Sequence, residues 1–150
     1  MIPIEQVWRW LGDVPDPEIP VVSVTDLGIV REVRWDDDTL VVIVTPTYSG
    51  CPATAAINFD IEAALRQHGV EKLRLERRLS PPWTTDWIGP ATQEKLRDYG
   101  IAPPVAGAPV TCPRCGSIRT ETVSQFGSTP CKAAYRCRDC LEPFDRFKCI

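Results

Sequence analysis

Two C-x2-C pairs, Cys112-Pro113-Arg114-Cys115 and Cys137-Arg138-Asp139-Cys140, stand 21 residues apart near the end of this 150-residue chain. Each pair sets two thiols about a turn apart with backbone N–H groups aimed at sulfur, and together they offer the four soft ligands of a closed tetrahedral site. This is the spacing of a zinc ribbon, so Cys112, Cys115, Cys137 and Cys140 are candidate zinc ligands. Four-sulfur iron, as in a rubredoxin-like site, uses the same ligands and is the rival metal. The segment is too small to bury a core of its own, which makes the metal's task structural: it supplies folding free energy that so few apolar contacts lack. The insert Ile118 to Arg136 holds the ribbon's strands.

The chain has seven cysteines, and an odd number cannot all pair internally. Met1-Ile2-Pro3-Ile4-Glu5 lacks the basic start and apolar core of a secretory signal, and no apolar run reaches the length of a membrane span. The cytoplasm is the expected location. Thiols are kept reduced there, which again favours metal ligation over disulfides. A net charge of -3 and a pI near 5.2 argue against nucleic acid as a partner, since a phosphate backbone calls for a basic face. Protein partners fit better.

Ahead of the cysteine-rich tail the pattern is α+β. Ile4, Val7, Trp8 and Leu11 fall at helical spacing, and Gly12 with Pro15 ends that helix. Asp13 to Pro20 carries three prolines and three carboxylates in a stiff loop, where Asp16 and Glu18 are either turn residues or supporting carboxylates of a site. Ile29 to Trp35 and Leu40 to Val44, joined by Asp36-Asp37-Asp38-Thr39, form a hairpin. The second run is nearly all apolar, as a strand covered on both faces is. A helix from Pro52 ends at Gly69. It is followed by a strand over Val70 to Leu79 with Leu73, Leu75 and Leu79 inward, parallel to one hairpin strand because it follows a crossover. Pro90 starts a short helix closed by Gly100, and the uncharged, Ala/Pro/Gly/Val-rich stretch after it is a linker. The expected organisation is a domain at 1–102 with a small mixed three-stranded sheet and helices, a linker at 103–110, and a zinc-ribbon-like β domain at 111–150.

Within the larger domain, Thr45 to Pro52 delivers one thiol, Cys51, to the start of a helix, with Pro52 suited to the first helical position. At an N-cap the unpaired N–H groups and the helix dipole favour an anion, so the thiol is drawn toward thiolate, the form that attacks electrophiles or binds metal. The alternative is an inert buried cysteine that caps the helix. Two further thiols, Cys131 and Cys149, are surplus to a plain ribbon. If the fold brings them to Cys51, the three are candidate ligands for iron or an iron–sulfur cluster, with one ligand from outside. The only histidine, His68, falls at the far end of the Cys51 helix, about 25 Å away at 1.5 Å per residue, so a thiol nucleophile there lacks its usual base. There is no Glu-x-x-His pair of the kind that builds an oxygen-activating di-iron site.

Asp16-Pro17-Glu18-Ile19-Pro20, Thr25-Asp26-Leu27-Gly28-Ile29-Val30 and Thr45 to Pro52 are similar to the signature of the SufT-like domain, an iron–sulfur-assembly family, over roughly residues 1 to 80. With Cys112 to Ser117, Ser124 to Thr129, Cys131-Lys132, Glu142-Pro143-Phe144 and Phe147-Lys148-Cys149 added, the whole chain resembles the PaaD (PaaJ) family, encoded with the multicomponent phenylacetyl-CoA monooxygenase (epoxidase). The resemblance implies an αβ domain, a cytoplasmic role in aerobic phenylacetate breakdown, and maturation or support of the oxygenase rather than epoxidation itself. It carries the family's characteristic cysteine onto Cys51 and its acidic loop onto Asp16 and Glu18. The implied cofactors are a structural zinc and a transient iron–sulfur cluster or iron, and the implied partners are the oxygenase or reductase components, with a homo-oligomer left open. Three readings follow: an assembly factor, a structural subunit that docks through the ribbon, and, least supported, a thiol enzyme.

Overall fold

Strand β2 (Thr39–Val44) is the centre of the first half of the molecule, and Leu40 to Val44 are all buried. A run of branched apolar residues at every position suits a strand covered on both faces. In the computed structural model, which describes residues 1–47 and 53–149, β2 has a neighbour on each side. Strand β1 (Val30–Asp36) lies antiparallel to it, and the turn between them is made by Asp37, in the left-handed region at φ 53°, and Asp38. Strand β3 (Leu73–Arg77) lies parallel to it with Val42 opposite Leu75, as expected of a strand reached by a crossover.

Helix α1 (Ile4–Leu11) buries Val7 and Leu11, and helix α2 (Thr54–Gln67), the crossover itself, buries Ile57, Ile61 and Leu65. Each fully buried side chain of this kind contributes about 1.5–3 kcal/mol of transfer free energy. The indole of Trp35 donates to the Ile2 carbonyl at 2.9 Å and ties the start of α1 to β1. At the other end of the helical layer Trp10 and His68 stack in parallel, 4.1 Å between ring centres. Of the two tryptophans after β3, Trp83 is buried, and Trp87 lies under the Arg31 guanidinium at 3.8 Å. Leu79, expected inward, lies beyond the end of β3 and is 49% exposed, because the ladder stops at Arg77.

The chain divides into two units, Met1–Ile88 and Gly89–Ile150. This moves residues 89–102 out of the first domain, where the sequence pattern puts them. Helix α3 (Pro90–Asp98), with proline at its first position, leads through Gly100 into strand β4 (Ile101–Ala102). Ile101 pairs in parallel with Asp145 and Ala102 with Arg146, so β4 is the edge of the second sheet rather than the tail of the first. That sheet runs β4, β7 (Pro143–Phe147), β6 (Lys132–Cys137), β5 (Thr120–Ser124), the last three antiparallel. Its core gathers Ala102, Cys112, Cys137 and Phe144, with Val110 and Tyr135 against them. No described helix is long and apolar enough to cross a membrane.

Candidate metal centre

The two cysteine pairs are the same turn built twice. In the first, the Cys112 N–H donates to the Ser117 carbonyl at 2.8 Å. In the second, the Cys137 N–H donates to the Glu142 carbonyl at 3.0 Å, again five residues on. Closing so tight a turn needs a left-handed residue after the second cysteine of each pair, and Gly116 (φ 78°) and Leu141 (φ 64°) occupy those places. The turn leaves backbone N–H groups facing sulfur: Arg114 to Cys112 Sγ and Cys140 to Cys137 Sγ, both at 3.4 Å.

All four Sγ atoms lie within 4.8 Å of one another. Across the pairs Cys115 is 3.5 Å from Cys137 and Cys112 is 3.8 Å from Cys140. A tetrahedron of zinc–sulfur bonds of about 2.3 Å has sulfur–sulfur edges of roughly 3.8 Å, so the thiols present fit such an ion. Cys112 and Cys137 are buried in the core, whereas Cys115 and Cys140 face solvent.

Four sulfurs this close do not ionise alike. The Cys137 thiol is lowered to about 6, chiefly by the Cys140 backbone N–H, with help from that of Asp139. At Cys140 the Glu142 backbone pulls down, but desolvation and the neighbouring thiols Cys137, Cys115 and Cys112 outweigh it and push the group up to about 12. Cys115 is raised as well, the pull of the Ser117 backbone being overcome by Cys137 and burial. A cation held by all four removes this conflict. Asp139, unremarkable in sequence, braces the arrangement by accepting from the Ser117 hydroxyl and, at 2.7 Å, from Arg119.

The other candidate residues fall elsewhere. Cys51 and Pro52 lie outside the described residues. The first residue of α2 is Thr54, flanked by Ala53, whose carbonyl accepts from the Ile57 N–H at 2.9 Å. Asp16 is only 5% exposed, and its Oδ2 accepts from the N–H groups of Glu18 (3.0 Å) and Ile19 (2.8 Å), which makes it the brace of the proline-rich loop. Glu18 is half-buried in the same loop. The Thr25 to Val30 stretch runs from a turn, which opens with Ser23 and Asp26 capping each other, into the first residue of β1. A side chain at Gly28 (φ 74°) would meet Trp87 Cβ at 3.2 Å. Cys131 is buried near the Thr129 hydroxyl (3.1 Å), Cys149 is exposed near Arg146 (3.6 Å), and neither belongs to a group of three or more potential ligands among the described residues.

Comparison with known proteins follows the same division. Residues 103–148 match the family model of the PaaD zinc beta ribbon domain, and residues 4–72 match that of an iron–sulfur cluster assembly protein. A protein of Escherichia coli (strain K12) described as one of the subunits of 1,2-phenylacetyl-CoA epoxidase is 47% identical, over 98% of this chain and 93% of its own length. An Fe-S protein maturation auxiliary factor of Porphyromonas gingivalis is 34% identical over 65% of this chain and 90% of its own. Among solved structures, a DUF59 domain of unknown function from Bacillus anthracis covers 61% of this chain and 89% of its own at a TM-score of 0.57 and 26% identity. A conserved hypothetical protein from Thermotoga maritima covers 63% and 94% at 0.54 and 32%.

Proposed function

We propose, from the premise that this chain belongs to the PaaD family, that it is an accessory factor which helps load iron, or an iron–sulfur cluster, onto a component of a phenylacetyl-CoA epoxidase. The observation that carries this reading is the union on one chain of an iron–sulfur-assembly domain at residues 4–72 with a tail whose four thiols stand close enough together to hold a single ion. A site with four protein sulfurs has no open position for chemistry, so its zinc serves to hold β5, β6 and β7 together. The cargo then belongs to the first unit, where Cys51 is the one cysteine and binds iron as thiolate, with Asp16 and Glu18 as supporting carboxylates. The protein is an accessory and not itself an enzyme: His68, the base a nucleophilic thiol would want, is stacked on Trp10. Its work takes place in the cytoplasm.

The test is a strain carrying Cys51→Ser, in which growth on phenylacetate and the iron and sulfide content of the epoxidase components are measured. Serine is close to cysteine in size but is a poor ligand for soft metal, so growth and loading should both fail while the variant stays folded and zinc-bound. Normal growth with full loading would refute the reading.

A second reading rests on the description of the Escherichia coli relative as a component of the epoxidase: the protein stays in the complex and docks through its ribbon. A resident component copurifies with active epoxidase at fixed stoichiometry, whereas a loading factor does not.

A further inference from the structure

The loop that joins β5 to β6 presents an aromatic ring to solvent. Phe126 is 69% exposed, and so, at 66%, is Val123 just before it, the extra residue where the register shifts between Thr122 and Ser124. A single exposed apolar residue is ordinary. What sets this one apart is how firmly it is held. The Ser124 hydroxyl accepts from the Phe126 N–H at 3.2 Å and donates to the Phe126 carbonyl at 2.8 Å, so one side chain clamps the residue at both ends. The Lys148 ammonium, just beyond β7, donates to the Gln125 carbonyl at 2.9 Å and stands 4.4 Å over the Phe126 ring. The Gly127 N–H donates to the Lys132 carbonyl at 2.8 Å, and a Cβ on Gly127 would come within 3.3 Å of that oxygen and 3.4 Å of Asp145 Oδ1, so a side chain there would press on the sheet.

These bonds order the loop without burying the ring. Ordering costs about 1–2 kcal/mol per residue in backbone freedom, and for Phe126 no apolar burial offsets it within the chain. A partner that covers the ring does offset it. An aromatic already fixed in its bound conformation loses little further freedom on contact, which is how rigid anchors gain affinity.

Charge and area say what partner fits. The second unit carries nine basic and six acidic side chains, net +3, in a chain that is net -3 as a whole. Lys148, the cation beside the ring, meets no carboxylate among the described residues. An apolar pocket rimmed by carboxylates is the complement of such a tip. A stable pairing of two copies needs roughly 800 Å² on each partner, whereas a phenylalanine buries about 150–250 Å², and Val123 beside it does not close the gap. So small an anchor suits an encounter that is made and then released. We infer that the loop tip around Phe126 is the surface through which this chain meets an epoxidase component, the ring seated in an acid-rimmed apolar pocket of that component and Lys148 paired with its rim. This rests on the role in the epoxidase system proposed above and supplies its point of contact.

The test uses the full-length, zinc-loaded chain and each purified component of a phenylacetyl-CoA epoxidase, with binding measured by calorimetry at low and high salt. One component should bind wild type, and more weakly as salt rises. Phe126→Ala should bind about tenfold more weakly or worse, with zinc content and melting temperature unchanged because the ring is not part of the ribbon's core. Lys148→Gln should weaken binding and flatten its dependence on salt. Val123→Ser should show a smaller loss than Phe126→Ala and serves if that variant does not fold. Binding by folded Phe126→Ala within about twofold of wild type overturns the proposal. So does a wild type that no component binds, or a sedimenting dimer of this chain that Phe126→Ala dissociates, which would give the surface to a second copy. The loading role is judged apart, on growth of the Cys51→Ser strain: failure there with normal binding by Phe126→Ala would remove this surface alone.

Discussion

The indole nitrogen of Trp83 donates a 2.8 Å hydrogen bond to the backbone carbonyl of Leu27, 56 residues earlier in the chain. It links the segment after β3 to the turn that ends in Gly28. Trp83→Phe keeps an aromatic ring but leaves a buried carbonyl unpaired, at a cost of about 1–3 kcal/mol. The expected result is a lower urea midpoint for the first unit with an unchanged slope. A loss below about 0.5 kcal/mol would place that carbonyl in contact with water.

The pairing of Ile101 with Asp145 sets where the chain can be cut. A fragment of residues 1–88 should unfold cooperatively by itself, and a fragment of 89–150 should fold with zinc. A fragment beginning at residue 103 lacks β4, exposes the edge of β7, and should be the less stable of the two tail fragments. Equal melting temperatures for the 89–150 and 103–150 fragments would show that β4 adds nothing.

Zinc removal should unfold the ribbon while the first unit keeps its structure, because Cys112 and Cys137 are part of the ribbon's own core. Elemental analysis is expected to give one zinc per chain, and iron in its place would contradict the structural assignment. Serine at Cys112 or Cys137 should be more damaging than at Cys115 or Cys140, since the first two are buried in the ribbon's core and the other two are exposed. Circular dichroism of the four variants at fixed zinc gives the order.

Cys149 should react with an alkylating reagent in the native protein well before Cys131 does, because one is exposed and the other buried. Neither Cys131→Ala nor Cys149→Ala should lower zinc content. A fall in zinc with either would make that thiol part of the metal centre.

Much of this arrangement is legible in the residues because it is local. The cysteine pairs, the Asp37-Asp38 turn and the apolar β2 each answer to spacing or periodicity over a few positions, and the structure shows them where the pattern puts them. What escapes such reading is set by partners far along the chain. Ile101-Ala102 looks like the start of a linker because two residues carry no periodicity, and their partner lies more than forty positions later. Trp83 carries no local sign of its burial because its acceptor is a carbonyl in an earlier turn.

At the position where the first knuckle has Gly116, the second has Leu141, also left-handed and 69% exposed. A side chain costs about 1–2 kcal/mol in that conformation, and so exposed a leucine recovers little of it by burial. The two halves of the clamp are therefore unequal in spring tension: the first rests in its closed shape, and the second is bent into it and kept there by the ion. When metal is withdrawn the Cys137–Cys140 turn should be the one that springs open first, and Leu141→Gly is the substitution that should even the two and slow the release.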